Sequence, residues 1–220
     1  MQAILQKCLI NLILLENKYI LQTNNLFIVR KFFKLVIKMI KYTEPKFELT
    51  RDETTGIFVP AGNHIGKEIY IGSDHRGYDV KQIIKGYLDE IKLKYTDVGC
   101  KNIQRCDYPD FAAKVAFNVG EDRDHKTIGI LVCGSGNGMA IVANKIEGAF
   151  AVSCRTINDI VNAREHNNMN VLCLGADNLD QADLTAMIYN FLVTDFPMNG
   201  DPAYLRRCAK TRDIDRKYRR

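Results

Sequence analysis

The sequence predicts an α/β protein built on a parallel sheet, and three observations carry that expectation. From Glu68 onward, short apolar runs alternate with segments whose apolar residues recur at helical spacing, the pattern of successive βαβ units. The run Thr127–Cys133 is apolar almost without interruption, as in a strand covered on both faces. It empties into Gly134-Ser-Gly-Asn-Gly138, where missing Cβ atoms let backbone N–H groups approach an anion, and in an open α/β sheet ligands bind at that edge.

Taken in order, residues 69–71 form the first strand and end in Gly72-Ser-Asp-His-Arg-Gly77. Val80, Ile83, Ile84, Tyr87, Leu88 and Ile91 repeat at helical spacing and mark the first crossover helix. Residues 95–98 read as the second strand and 99–106 as a loop. Asp107-Tyr-Pro-Asp110 opens the next helix, with Pro109 in its first turn and Phe111, Val115 and Val119 as its buried stripe. The third strand is Thr127–Cys133, with residues 139–145 continuing as a helix start, and residues 148–153 form the fourth. Thr156-Ile-Asn-Asp159 has the pattern of a capping box and begins a helix reaching His166. Residues 170–175 are the fifth strand and 182–196 an amphipathic helix. Residues 201–220 form a charged helical tail with little apolar face, the kind of segment that needs a partner surface and so points to a homodimer, with a tetramer also compatible.

The length of 220 residues fits one domain with an appendage: an extension and irregular lead-in over 1–67, a main domain over 68–200 and the tail over 201–220. Of the 31 Lys and Arg and 26 Asp and Glu, residues 1–48 hold eight and three, so the +5 net charge lies there and the rest is neutral. No basic patch interleaved with aromatics marks the main domain, which argues against nucleic-acid binding. Seven cysteines, without CxxC spacing, fit neither a metal cage nor a disulfide framework and suit a reducing, cytoplasmic setting. Residues 1–42 are apolar and basic, but their lysines and arginines interrupt every run before spanning length, so no membrane span is expected. Three readings of this stretch compete: an organellar targeting segment, a loosely packed extension, or upstream sequence with Met39 as the working start.

Strand ends on one edge of the expected sheet collect Asp74, His75, Cys133 with its glycines, and Arg155; a neighbouring loop adds Tyr108, and His166 and Asn167 arrive from the end of the following helix. A thiol, an imidazole, a carboxylate and a glycine nest in one crevice make a reasonable site. Each also has a structural reading: Cys133 as an inert small hydrophobe, the Asp74–His75 pair as a cap for the first helix, and His166 with its asparagines as a helix stop. The loop is G-x-G-x-G, not G-x-G-x-x-G, and no acidic residue ends the next strand to hold a ribose, which disfavours a dinucleotide site.

Four ordered motifs over residues 68–196, namely Ile71-Gly-Ser-Asp-His-Arg-Gly77, Asp107-Tyr-Pro-Asp110, Ile130-Leu-Val-Cys-Gly-Ser-Gly-Asn-Gly-Met139 with Ala143-Asn-Lys145, and Arg164-Glu-His-Asn167 with Asn170-Val-Leu172, resemble the type B ribose-5-phosphate isomerase family, the RpiB/LacAB sugar-phosphate isomerases. The resemblance implies a Rossmann-like three-layer sandwich with a five-stranded parallel sheet, a homodimer with active sites at the subunit interface, and aldose–ketose isomerisation without metal or cofactor. It implies Cys133 as the base moving a proton between C1 and C2, and an oxyanion hole from the backbone of Gly134, Gly136, Asn137 and Gly138 with Ser135. His166 with Asp74 would open the sugar ring, His75 would help hold the phosphate, and Tyr108 and Asn167 would line the pocket. Some relatives place a Glu base where this chain has Met139, which cannot accept a proton. The family pattern usually has phosphate-facing arginines where this chain has Asp177 and Asp201. Arg206 or Arg207 is expected to supply the tail cation, with help from Arg164. The reading is a ribose-5-phosphate isomerase; its rivals are an isomerase of a six-carbon sugar phosphate and a catalytically weak sugar-phosphate-binding dimer.

Overall fold

The computed structural model describes residues 49–51, 58–60, 68–122, 126–197 and 201–218, all within the unit Phe47–Arg220. The readings of residues 1–42 as targeting segment, extension or upstream sequence lie outside the described residues. Within the stretch expected to be an irregular lead-in, β1 (Leu49–Arg51) and β2 (Phe58–Pro60) pair antiparallel.

The main sheet consists of β3 (Glu68–Ser73), β4 (Tyr95–Asp97), β5 (Thr127–Cys133), β6 (Ala151–Ser153) and β7 (Val171–Gly175). Its order is β4-β3-β5-β7-β6, parallel throughout. The chain steps from β3 outward to β4, then returns to place β5 on β3's other side. The β3/β5 junction is therefore the switch point where crossovers leave toward opposite sides and a crevice opens at the carboxyl ends. The helices are α1 (Tyr78–Glu90), α2 (Tyr108–Glu121), α3 (Asn137–Ala143), α4 (Ile157–Asn167), α5 (Leu184–Val193) and α6 (Pro202–Tyr218).

Alternation along the strands divides the core. Ile128, Ile130 and Val132 pack with α1, α4 and α5, while Leu131 and Cys133 pack with α2 and α3. All seven residues of β5 are buried, as a strand covered on both faces requires. On α5, Leu184, Met187, Ile188, Phe191 and Leu192 are nearly solvent-free, each contributing about 2 kcal/mol of transfer free energy. The α2 stripe is Ala112, Val115, Ala116 and Val119. Phe111 is only half-buried, because the small alanines bring the helix close to β3 and β5 and leave the larger ring at the margin. Ile83 on α1 is exposed; the core-facing place beside it belongs to Lys81, Ile84 and Leu88.

Two of the boundaries that differ from expectation do so for reasons visible in the hydrogen bonds. The fourth strand begins at Ala151, not 148, because asparagine side chains take over the preceding rungs. Asn144 donates Nδ2 to Ala151 O at 2.8 Å and accepts the Ala151 N–H at 2.9 Å, while Asn170 Oδ1 accepts the Phe150 N–H at 2.7 Å. The helix expected over 182–196 runs only over Leu184–Val193. Thr194 turns extended, and its carbonyl accepts Arg164 Nε–H at 2.7 Å. The capping box of α4 is present: Thr156 Oγ1 accepts the Asp159 N–H at 3.1 Å, and Asp159 Oδ2 accepts the Thr156 N–H at 3.0 Å.

Candidate active site

Register alone brings the first residues together. Ser73 stands opposite Val132, so Asp74 and Cys133 are the next residues out at the switch point, and the Asp74 N–H donates to Val132 O at 3.2 Å. Asp74 is buried, and its Oδ1 accepts the Arg76 and Gly77 N–H groups, both at 3.0 Å. Asp74 thus closes the turn ahead of α1, whose N-cap is Gly77 without a side-chain cap bond, and the turn fixes a carboxylate at the crevice. Cys133 is 5% exposed, and its Sγ accepts the Gly136 N–H at 3.2 Å. That contact needs Gly136 in the left-handed region at φ 76°, where a Cβ would fall 2.8 Å from Ser153 Oγ. The helix begins at Asn137, two residues earlier than expected, so the amides of Asn137 and Gly138 belong to a first turn that has no intrahelical acceptor for them. Ser135 is exposed at the lip of the loop, its Oγ accepting the Asn137 N–H at 3.4 Å.

Tyr108 lies against this loop: a Cβ on Gly138 would meet its ring at 2.8 Å. His75 is held by the loop over 99–106, with Nδ1 3.3 Å from Cys106 N and 3.1 Å from Cys106 O. That loop is anchored from below by Lys81, which the sequence reading missed. Although a lysine, it is 1% exposed, and Nζ donates to Asp97 Oδ1 at 2.8 Å and Cys100 O at 2.6 Å. Lys85 adds a second ammonium to Asp97 Oδ2 at 2.8 Å. Burial by itself pushes the Asp97 carboxyl up, but hydrogen bonds from Lys81, Lys85 and the Gly99 amide outweigh it and hold the group below the usual carboxylate range. Lys81 falls in step with Ile84 and Leu88, which is the signal that it points inward. A cleft of about 420 Å³ runs beside the same loop, lined among others by Cys100, Lys101, Arg105, Cys106 and Lys114.

His166 and Asn167 are not at this edge, which corrects the expectation that they arrive beside Cys133 in one chain. β6 and β7 are parallel neighbours, so α4, which joins them, must run back across the sheet, a distance of about 16 Å for eleven residues. Its last turn therefore lies at the amino edge, where the Asn170 N–H donates to Phe150 O at 3.1 Å. There the imidazole of His166 stacks on Tyr204 of α6, ring centroids 4.3 Å apart at 22°. The Arg207 guanidinium lies 5.9 Å from the Tyr204 ring centroid, and Cys208 Sγ donates to His166 O at 3.4 Å. Arg206 is exposed on the same helix. Asn168, at φ 53°, closes α4 as a left-handed cap.

The expected help from Arg164 is withdrawn by its surroundings. Its side chain is buried, bonded to the carbonyls of Thr194 and Met169 and paired with Asp195 at 3.4 Å; burial lowers its pKa, partly offset by Asp195. It ties α4 to the end of α5. Asp201 Oδ1 accepts the Ala203 N–H at 2.8 Å, so that acid starts α6. Asp177 forms an ion pair with Arg76, a residue quoted within the first motif but given no role by sequence reasoning. Two further thiols are buried in the core: burial, with neighbouring Cys133 and Cys154, pushes Cys173 well above the ordinary range, and burial together with Asp159 pushes Cys154 up to about 12. No group of three or more His, Cys, Asp and Glu suited to a metal occurs among the described residues, and no helix among them is long and apolar enough to cross a membrane.

By class, this chain is an aldose–ketose isomerase acting on sugar phosphates, and residues 69–210 match the ribose/galactose isomerase model. It belongs to the ribose/galactose isomerase family, the group that contains the type B ribose-5-phosphate isomerases. A Rickettsia conorii relative, whose name goes no further than sugar phosphate isomerase, is 42% identical over 128 residues, covering 58% of this chain and 88% of its own. The ribose-5-phosphate isomerase B of Clostridium thermocellum superimposes with TM-score 0.64 at 34% identity, over 69% of this chain and 99% of its own. That of Mycoplasma genitalium, solved with bound ribulose 5-phosphate, gives 0.63 at 34% identity, over 68% and 96%.

Proposed function

We propose that this chain interconverts ribose 5-phosphate and ribulose 5-phosphate through a cis-enediol, as a homodimer whose sites each join the carboxyl edge of one copy to the amino edge of the other. The observation that carries the reading is the separation of the two residue groups. Cys133, Asp74, His75 and Tyr108 meet at the switch point, while His166, Asn167 and the tail arginines meet at the opposite edge. One chain holds both groups but cannot apply them to one sugar; two chains can.

In this arrangement His166 of the partner subunit, with Asp74, moves a proton between O1 and the ring oxygen and opens the furanose. The Cys133 sulfur then removes the C2 proton of the aldehyde, the C2–H electron pair becomes the C1=C2 bond, and the carbonyl pair moves onto O1. The Gly134–Gly138 backbone with Ser135 holds the enediolate oxygen. The proton passes from O2 to O1, and return of the proton from sulfur to C1 yields the ketose. His75 and a tail arginine, Arg206 or Arg207 of the partner subunit, hold the phosphate, while Tyr108 and the partner subunit's Asn167 line the sugar.

The test is conversion of ribose 5-phosphate by the full chain, followed with and without EDTA and alongside Cys133→Ala. Turnover that EDTA leaves unchanged and Cys133→Ala abolishes is the expected result. No turnover of ribose 5-phosphate by the parent chain overturns the substrate assignment, and turnover of a six-carbon sugar phosphate in the same assay replaces it.

A further inference from the structure

The Arg76 guanidinium occupies the space that a side chain at position 134 would fill. A Cβ on Gly134 would stand 2.7, 2.8 and 2.9 Å from Arg76 Cζ, Nε and NH1. The remaining nitrogen, NH2, is the one held by Asp177 Oδ2. Asp177 is itself fixed on the same glycine, its N–H donating to Gly134 O at 3.0 Å. Arg76 is tied at its other end, its N–H donating to Asp74 Oδ1 at 3.0 Å. A guanidinium is thus clamped with its face over the residue that follows Cys133 and one nitrogen on a carboxylate.

We infer that Arg76 is a phosphate-binding residue of this site and that Asp177 is its positioning partner; the inference rests on the sugar-phosphate reading above. Guanidinium offers five N–H donors in a planar fork, so Asp177 can take one N–H of its nitrogen while the fork edge left free donates to a dianion. Charge makes the contact necessary. Asp74 and Asp177 both stand at the crevice, and a carboxylate beside a phosphate repels it. Arg76 offsets Asp177 and supplies the cation that position 177 lacks. As a surface ion pair alone, with side chains 57% and 43% exposed, the contact would contribute little to stability.

The experiment measures the Kd of inorganic phosphate by calorimetry, and kcat and KM for ribose 5-phosphate, in the full chain, Arg76→Ala and Arg76→Ala/Asp177→Asn. Arg76→Ala is expected to weaken phosphate binding and raise KM by about tenfold or more, with kcat within about threefold. The double variant separates contact from masking: with Asp177 neutral, phosphate binding stays at least about fivefold weaker than in the parent if Arg76 touches the anion. Recovery of parental affinity in the double variant, or an unchanged Kd in Arg76→Ala, overturns the inference. The phosphate Kd reads Arg76 even where ribose 5-phosphate is not turned over, so failure of this inference and failure of the substrate assignment are told apart.

Discussion

The two edges of the sheet hold their functional residues by different physics. At the carboxyl edge, Asp74 and Cys133 end buried strands, and each accepts backbone N–H groups from the turn that follows it. Their positions are set by the β3/β5 register and the core beneath. At the amino edge, His166 sits in a helix's last turn and is held by the face of Tyr204, on a helix whose one buried residue is Cys208. The first edge is preorganised by the fold, while the second depends on how α6 docks. That asymmetry suits the proposed site, in which the proton-moving thiol must not shift and the ring-opening group is brought by a second copy.

Perturbations should separate the edges, and the largest effect falls on the first. Cys133→Ala should lower kcat at least about a thousandfold, about 4 kcal/mol of barrier, with an unchanged circular dichroism spectrum and melting temperature. Next, Asp97→Ala leaves the buried Lys81 ammonium uncompensated and should cost about 3 kcal/mol in denaturant unfolding. Asp97 also gives the carboxyl edge an acid limit. Its carboxyl is depressed in the folded state, so its stabilisation is present in full above the ordinary value of about 3.9 and is lost as pH falls through the lower folded value. Stability measured against pH should therefore fall below about pH 4, and less steeply in Asp97→Asn. Gly136→Ala should cost about 1–2 kcal/mol, from the left-handed backbone and the 2.8 Å approach to Ser153 Oγ, and should lower kcat by misplacing the amide that meets Cys133. Tyr204→Ala is the smallest: about 1 kcal/mol from the lost stack, read as a reduced kcat.

The sheet and the carboxyl-edge residues were legible in the sequence, because strand alternation and the G-x-G-x-G run are local signals. His166 was legible as a candidate residue but not in place, since spacing says nothing of the direction in which a helix crosses a sheet. The order β6–α4–β7 supplies that direction: a crossover between parallel neighbours carries its last turn to the opposite edge. Long-range partners left no local trace. Arg76 and Asp177 are 101 residues apart, and Asn144 and Asn170 act as sheet rungs although each reads as a turn residue. An aspartate in an expected phosphate site looks like a reversal of charge until the arginine that covers it is located.

A site shared between two copies can be read out by mixing two inactive variants. Cys133→Ala and His166→Ala chains, dissociated together and reassociated, should pair at random. Half of the dimers would then carry one site with both residues intact, restoring about a quarter of the parental activity per chain. A mixture as inactive as its two components would contradict the account and return Cys133 and His166 to independent roles.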